Sequence, residues 1–167
     1  MAVREILLLG NPLLYQVSEL IRPEELTSLQ SVADDLRDTL LDFRKRFGYG
    51  RAIAAPQIGV MKRLIYWHPD SPQVLINPVL EDLSQENFTL WDDCMSFPGL
   101  LVKVNRHTSC TLRFRDQHWN EQIWHLQNDR SELIQHEYDH LDGIMATQRA
   151  IDDRSLSISS NLRSSNT

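Results

Sequence analysis

The sequence predicts an α+β fold, with antiparallel or mixed β-sheets around a central helix near the C-terminal end and a long helix near the N-terminal end. Three observations predict it. Between residues 23 and 47 apolar side chains recur at Leu26, Leu29, Val32, Leu36, Leu40, Phe43 and Phe47, the three-and-four spacing of an amphipathic helix. Short runs rich in β-branched and aromatic residues occupy 63–67, 74–80, 100–104, 110–114 and 121–126, and Pro, Asp and Asn turns break them apart. A second helical stripe, Leu133, His136, Glu137, His140 and Leu141, falls within residues 130–141.

Taken in order, residues 6–9 are an apolar run, either a short strand or an extended arm laid on the core, and Gly10, Asn11 and Pro12 then turn the chain. Pro23 suits the first position of the long helix, because its missing N–H would have no partner there anyway. Gly48, Tyr49 and Gly50 stop that helix. Residues 51–60, RAIAAPQIGV, have no period and carry small side chains where backbone must approach something closely, which reads as a loop against a site. Asn128 or Asp129 is the expected cap of the second helix. After Gly143 polarity rises, and the Ser-rich stretch 155–167 reads as a frayed tail. The expected organisation is one domain over 1–150 followed by a polar tail over 151–167.

A length of 167 residues suits one domain with a core of ordinary size. Hydrophobic content of 41%, with four Trp, four Tyr and five Phe, is that of a foldable chain, and no apolar run approaches the roughly 20 residues a membrane helix needs. Seventeen basic against twenty-three acidic residues leave a formal charge of -6, which repels nucleic-acid phosphates. Glu5 and the Asn11-Pro12 pair interrupt the first apolar run, so it does not read as a signal peptide. Two cysteines, Cys94 and Cys110, are too few for a disulfide framework and suit a reducing compartment. The expectation is a cytoplasmic protein without membrane or direct nucleic-acid partners.

Residues 135–143, QHEYDHLDG, hold the chemistry. His136 and His140, four apart on a helix, present both imidazoles to one point, and Glu137 lies between them, the pattern of a metal-assisted hydrolytic site. The alternative is a solvated acidic helix face. A catalytic metal site of this type needs a third protein donor. His118 sits in a polar turn, His125 in an alternating strand, and His68 and His107 have no partner at ligand spacing. Cys94 differs: it lies in WDDCMSFPG among polar residues rather than in the apolar company of an inert cysteine, and its surroundings suit a thiolate. Cys110, at the start of an apolar strand, reads as a small strand residue.

Three stretches together resemble the peptide deformylases. RAIAAPQIG is similar to that family's first motif (Gly-x-Gly-x-Ala-Ala-x-Gln), DDCMS to its second (Glu-Gly-Cys-Leu-Ser) and QHEYDHLDG to its third, in the family's order and spacing. The likeness covers roughly residues 3–150. It implies that Cys94, His136 and His140 hold one divalent metal with a water in the fourth position. Fe(II) is the usual ion, and Zn(II) or Ni(II) can occupy such a site. It implies removal of the N-formyl group from N-formyl-methionyl nascent polypeptides, with release of formate. Glu137 would move the proton, and the Gln57 amide with the backbone N–H of Met95 would stabilise the developing oxyanion. Gly50, Arg51, Ala52, Leu133 and Asp129 would border the substrate, and Asp92 would pair with Arg106 to lock the Cys94 loop.

The chain departs from the family pattern at several of these positions. Ala52 stands at the second Gly, Arg51 where an apolar residue usually faces the first substrate side chain, and Asp92 and Asp93 in place of Glu-Gly. Asp129 and Arg130 replace apolar residues at the start of the second helix. Two other readings follow from these departures, an amidase of this fold with another N-acyl or side-chain preference and a deformylase-like binding protein without turnover. The Ser-rich tail lacks the basic helix by which some relatives contact the ribosome, so that contact is not expected.

Overall fold

The helical period of residues 23–47 is realised in the computed structural model, which describes residues 2–160, as a 3-10 turn at Pro23–Glu25 running into helix α1, Leu26–Phe47. The Arg22 N–H donates to the Glu25 carboxylate at the entry. Gly48, at φ 81°, ends the helix in the left-handed conformation that costs glycine little, and its N–H donates to the Arg44 carbonyl. Leu29, Ala33, Leu36, Leu40 and Phe43 form the buried face. Leu29, Leu36, Leu40 and Phe43 pack with Ile53, Leu64, Tyr66 and Ile76, which lie on one side of a sheet.

That sheet has five strands, β1 (Ala52–Ala54), β2 (Leu64–Trp67), β3 (Gln73–Glu81), β6 (Ser109–Arg115) and β7 (Glu121–Gln127), in the order β1-β2-β3-β6-β7. A second sheet of three strands has the order β4-β5-β8, with β4 at Asn87–Asp92, β5 at Leu100–His107 and β8 at Leu156–Ile158. All these pairings are antiparallel. Pro78 is tolerated inside β3 because the register with β6 slips between Ile76 and Val79, where a ladder N–H is not required.

Helix α2, Asp129–Leu141, packs on β1, β5 and β7. Its Leu133, Ile134 and Leu141 fill the face of the five-stranded sheet opposite α1, together with Ala54, Ile65, Leu75, Leu112 and Phe114. Cys94, Phe97, Val102, Val104 and Met145 make a third cluster against the smaller sheet. From Ser131 to Leu141 only Tyr138 escapes full burial, so the helix is enclosed rather than laid on a surface. Among the described residues no helix is long and apolar enough to cross a membrane.

Four local expectations change. Residues 51–60 are not all loop: Ala52–Ala54 pair with β2 as a short edge strand before a 3-10 turn at Ala55–Ile58. Small residues carry no β signal, and pairing alone made the strand. Asn87–Asp92 forms β4, although its inward positions Phe88, Leu90 and Asp92 end on a carboxylate, which hid the alternation. Leu156–Ile158 is no frayed tail but adds to β5, while residues 161–167 of the Ser-rich stretch lie outside the described residues. Asn128 occupies the cap position at φ 50° without a side-chain cap bond. It turns the chain out of β7, with its N–H donating to the Thr108 carbonyl.

Candidate metal centre

Helix α2 and the turn after β4 bring three donors to one point. Cys94 Sγ lies 3.3 Å from His140 Nε2, and the two imidazole Nε2 atoms lie 3.2 Å apart. All three residues are buried. Bond lengths of about 2.0–2.1 Å to nitrogen and 2.3 Å to sulfur give tetrahedral edges of about 3.3–3.6 Å, so the three donors fit one transition-metal ion. The site is also electrically prepared for a cation. Burial opposes a charge on His136, but Asp92 and Cys94 outweigh it and raise the imidazole well above its ordinary range. His140, lowered by burial and by His136, stays neutral and able to donate a lone pair.

A chain of alternating charges holds the donors. His136 Nδ1 meets Asp92 Oδ2 at 2.9 Å, which directs Nε2 at the centre. Arg106 donates to Asp92 at 3.0 Å and to Asp139 at 2.6 Å, and Arg149 donates to both Asp139 oxygens. Burial alone would raise the Asp92 carboxyl, yet His136 and Arg106 hold it at about 2. Asp92, Arg106 and Asp139 are all buried, so they tie β4, β5 and α2 together by charges that cannot fall back on water.

Gln57 reaches the same point from the turn after β1. Its Oε1 accepts from the Ala54 N–H at 2.9 Å, which leaves Nε2 aimed at Cys94 Sγ, 3.6 Å away, and at Ser96 Oγ, 3.2 Å away. The N-terminal arm fastens both turns: the Leu7 N–H donates to the Gln57 carbonyl and the Leu9 N–H to the Ser96 carbonyl, each at 2.8 Å. Glu137 is buried one position past His136, and one of its oxygens has no hydrogen-bond partner. Burial pushes its carboxyl up to about 7, within reach of proton exchange near neutrality.

These groups open on a cleft of about 480 Å³. Gly50, Arg51, Ala52, Met95 and Leu133 line it, as do Gln57, Cys94, His136 and Glu137. A Cβ at Gly50, whose φ is +120°, would come within 3.3 Å of Leu40, so glycine suits that wall. Asp129 does not line the cleft: its side chain is 67% exposed, and only its carbonyl turns inward to accept from Arg51. Arg130 likewise points away, to Asp70. His68 lines the cleft outside the donor cluster, while His107 and His125 bond to Ser84 and Thr111. The sequence reading missed Ser96, Asp139 and Glu132, whose burial no local pattern announces.

Three comparisons bear on this geometry. The family profile described as polypeptide deformylase matches residues 3–155. The chain is 34% identical over 174 residues to peptide deformylase 1 of Prochlorococcus marinus, covering 97% of this chain and 88% of that one. It is 34% identical over 161 residues to the peptide deformylase of Leptospira biflexa, covering 89% and 88%. A crystal structure of a peptide deformylase from Synechococcus elongatus in complex with actinonin superposes with a TM-score of 0.83 at 26% identity, over 90% of this chain and 80% of that one.

Proposed function

The chain belongs to the polypeptide deformylase family, and on that premise we propose that it hydrolyses the N-formyl group of N-formyl-methionyl nascent polypeptides, releasing formate and a free amino terminus. The observation that carries this reading is the convergence of Cys94, His136, His140, Gln57 and Glu137 on one cleft.

Cys94, His136 and His140 would hold the divalent cation on which the family depends, and its chemistry when bound is Lewis-acid activation of water and of the formyl carbonyl. We propose Fe(II) as the resident ion, with Zn(II) and Ni(II) able to occupy the same donors, since thiolate and imidazole suit all of them. Glu137 accepts a proton from the attacking water on its free oxygen and returns it to the departing amine nitrogen. Gln57 Nε2, fixed by the bond from Ala54 to Oε1, donates to the carbonyl oxygen as that oxygen gains charge, and the Met95 N–H is the second donor. Asp92 keeps His136 Nδ1 occupied, so that Nε2 faces the cation. Atoms balance: one water and one formamide bond give one carboxylate and one amine.

Anaerobic purification with metal analysis, followed by formate release from formyl-Met-Ala-Ser, tests the reading. The expected result is about one metal ion per chain and turnover that Glu137→Gln removes while metal content persists. Bound metal with no formate from any formyl peptide would instead support the binding-protein alternative.

A further inference from the structure

The cleft carries an ion pair that the proposed chemistry does not use. Arg51, immediately before β1, extends its Nη2 to Glu132 Oε1 on α2, and its Nη1 donates to the Asp129 carbonyl at 3.3 Å. Glu132 stands one turn before His136, on the face of α2 that carries the donors. The pair therefore spans the cleft beside the reaction centre, from the strand that leads to Gln57 to the helix that bears His136 and Glu137. Arg51 and Glu132 line the same cleft as Gln57, Cys94, His136 and Glu137, so a substrate whose carbonyl reaches those groups has this wall beside it.

The pair is asymmetric. The Glu132 side chain is 5% exposed and the Arg51 side chain 41%. Removing Arg51 from its partner would strand a buried carboxylate, so the pair stays closed while substrate binds. A guanidinium has five N–H donors, more than the bonds to Glu132 and Asp129 use, and Arg51 lines the cleft with its side chain part exposed. Leu90, Leu133 and Ala52 supply apolar surface nearby, and Asp93 adds a second carboxylate to the lining. An entering side chain thus meets apolar walls along its stem and a mixed field of donors and acceptors at its end. With Glu132 and Asp93 set against Arg51, a negative end group is repelled. A neutral group that both accepts and donates matches the field, and the glutamine carboxamide provides one at the chain length of methionine.

We propose that the Arg51–Glu132 pair is the specificity-determining element of this cleft and makes it a polar subsite that admits formyl peptides beginning with glutamine on a par with those beginning with methionine. The proposal rests on the deformylase reading above. Arg51 and Glu132 act here on the substrate side chain and take no part in proton transfer.

The test compares kcat/KM for formyl-Met-Ala-Ser, formyl-Gln-Ala-Ser and formyl-Glu-Ala-Ser, using metal-loaded wild type and the double variant R51I/E132L, which removes both charges together. In wild type the Gln and Met peptides fall within about threefold of each other and the Glu peptide at least about tenfold lower; in the double variant the Gln peptide drops at least about tenfold relative to Met. R51K keeps the charge opposite Glu132 but lacks the forked donors, and there too the Gln-to-Met ratio falls, which keeps the test alive if the double variant does not fold. A wild-type preference for Met of about 100-fold or more, a Gln-to-Met ratio unchanged in the variants, or a Glu peptide faster than Gln overturns the proposal while leaving the deformylase reading intact. Formate from none of the three peptides overturns both.

Discussion

Gln57 shows how a single amide can be oriented from behind. Because Oε1 is occupied by the Ala54 N–H, Nε2 has only one direction left, toward Cys94 and Ser96, and it waits there as a donor. Losing one such prepared donor removes about 3 kcal/mol of transition-state stabilisation, so Gln57→Ala is expected to lower kcat about 10²–10³-fold with KM little changed, as read by formate release. Glu137→Gln removes the proton carrier and is expected to cost about 10²–10⁴-fold. Equal metal content in both variants distinguishes loss of chemistry from loss of the ion. His136, Glu137 and His140 were legible because their relation is local, fixed by the helical repeat. Cys94 was legible through its polar neighbours, but joining it to Gln57 took the resemblance. Glu132 was not legible at all, since an acidic residue in the first turns of a helix reads as a solvated face until tertiary packing buries it against Arg51.

At the scale of elements, α2 is positioned by what surrounds its C-terminal half. Its C-terminal end abuts the turn Pro12–Tyr15, and the Ser18 N–H donates to the Leu141 carbonyl. A Cβ on Gly143, at φ +71°, would lie 2.6 Å from the Tyr15 carbonyl carbon, a contact with backbone that no rotamer change relieves. Gly143→Ala is therefore expected to destabilise the fold by about 1–3 kcal/mol in urea denaturation, from strain at a positive φ with a clash added. A midpoint equal to wild type would show that the turn yields freely. The other support is Arg106, buried between Asp92 and Asp139. Arg106→Ala leaves Asp139 with Arg149 alone and Asp92 with His136 alone, so the tie between them is lost, and metal affinity is expected to fall about 10–100-fold as the Asp92 carboxylate no longer holds His136 in a fixed orientation. Competition with a chelator reads that change; unchanged affinity would mean that the His136–Asp92 contact holds by itself. Strand β4 escaped sequence reading for the same reason that it matters: its inward Asp92 breaks the apolar alternation in order to serve this network.

In the whole molecule, the three metal donors come from two bodies of structure. His136 and His140 ride on the helix whose apolar residues complete the five-stranded sheet, whereas Cys94 belongs to the cluster of the three-stranded sheet. A bound ion thus joins the two sheets at their common border, beside the Arg106 network that also spans it. Sequence patterns registered four of the five strands of the larger sheet, one of the three of the smaller sheet and both helices, because those depend on local period. They could not register the border, because its partners lie 46 residues apart between Cys94 and His140 and 33 apart between Arg106 and Asp139. The ion's contribution follows from linkage, since a ligand that binds only the folded chain stabilises it by about 4 kcal/mol at 1,000 times its dissociation constant. Chelation is accordingly expected to lower the thermal midpoint by several degrees and readdition of Fe(II) or Zn(II) to restore it. In Cys94→Ala the midpoint should respond far less to either treatment, since one of the two bodies no longer holds the ion. A wild-type midpoint indifferent to chelation, in protein shown to have lost its metal, would mean that the Arg106 network alone carries the border.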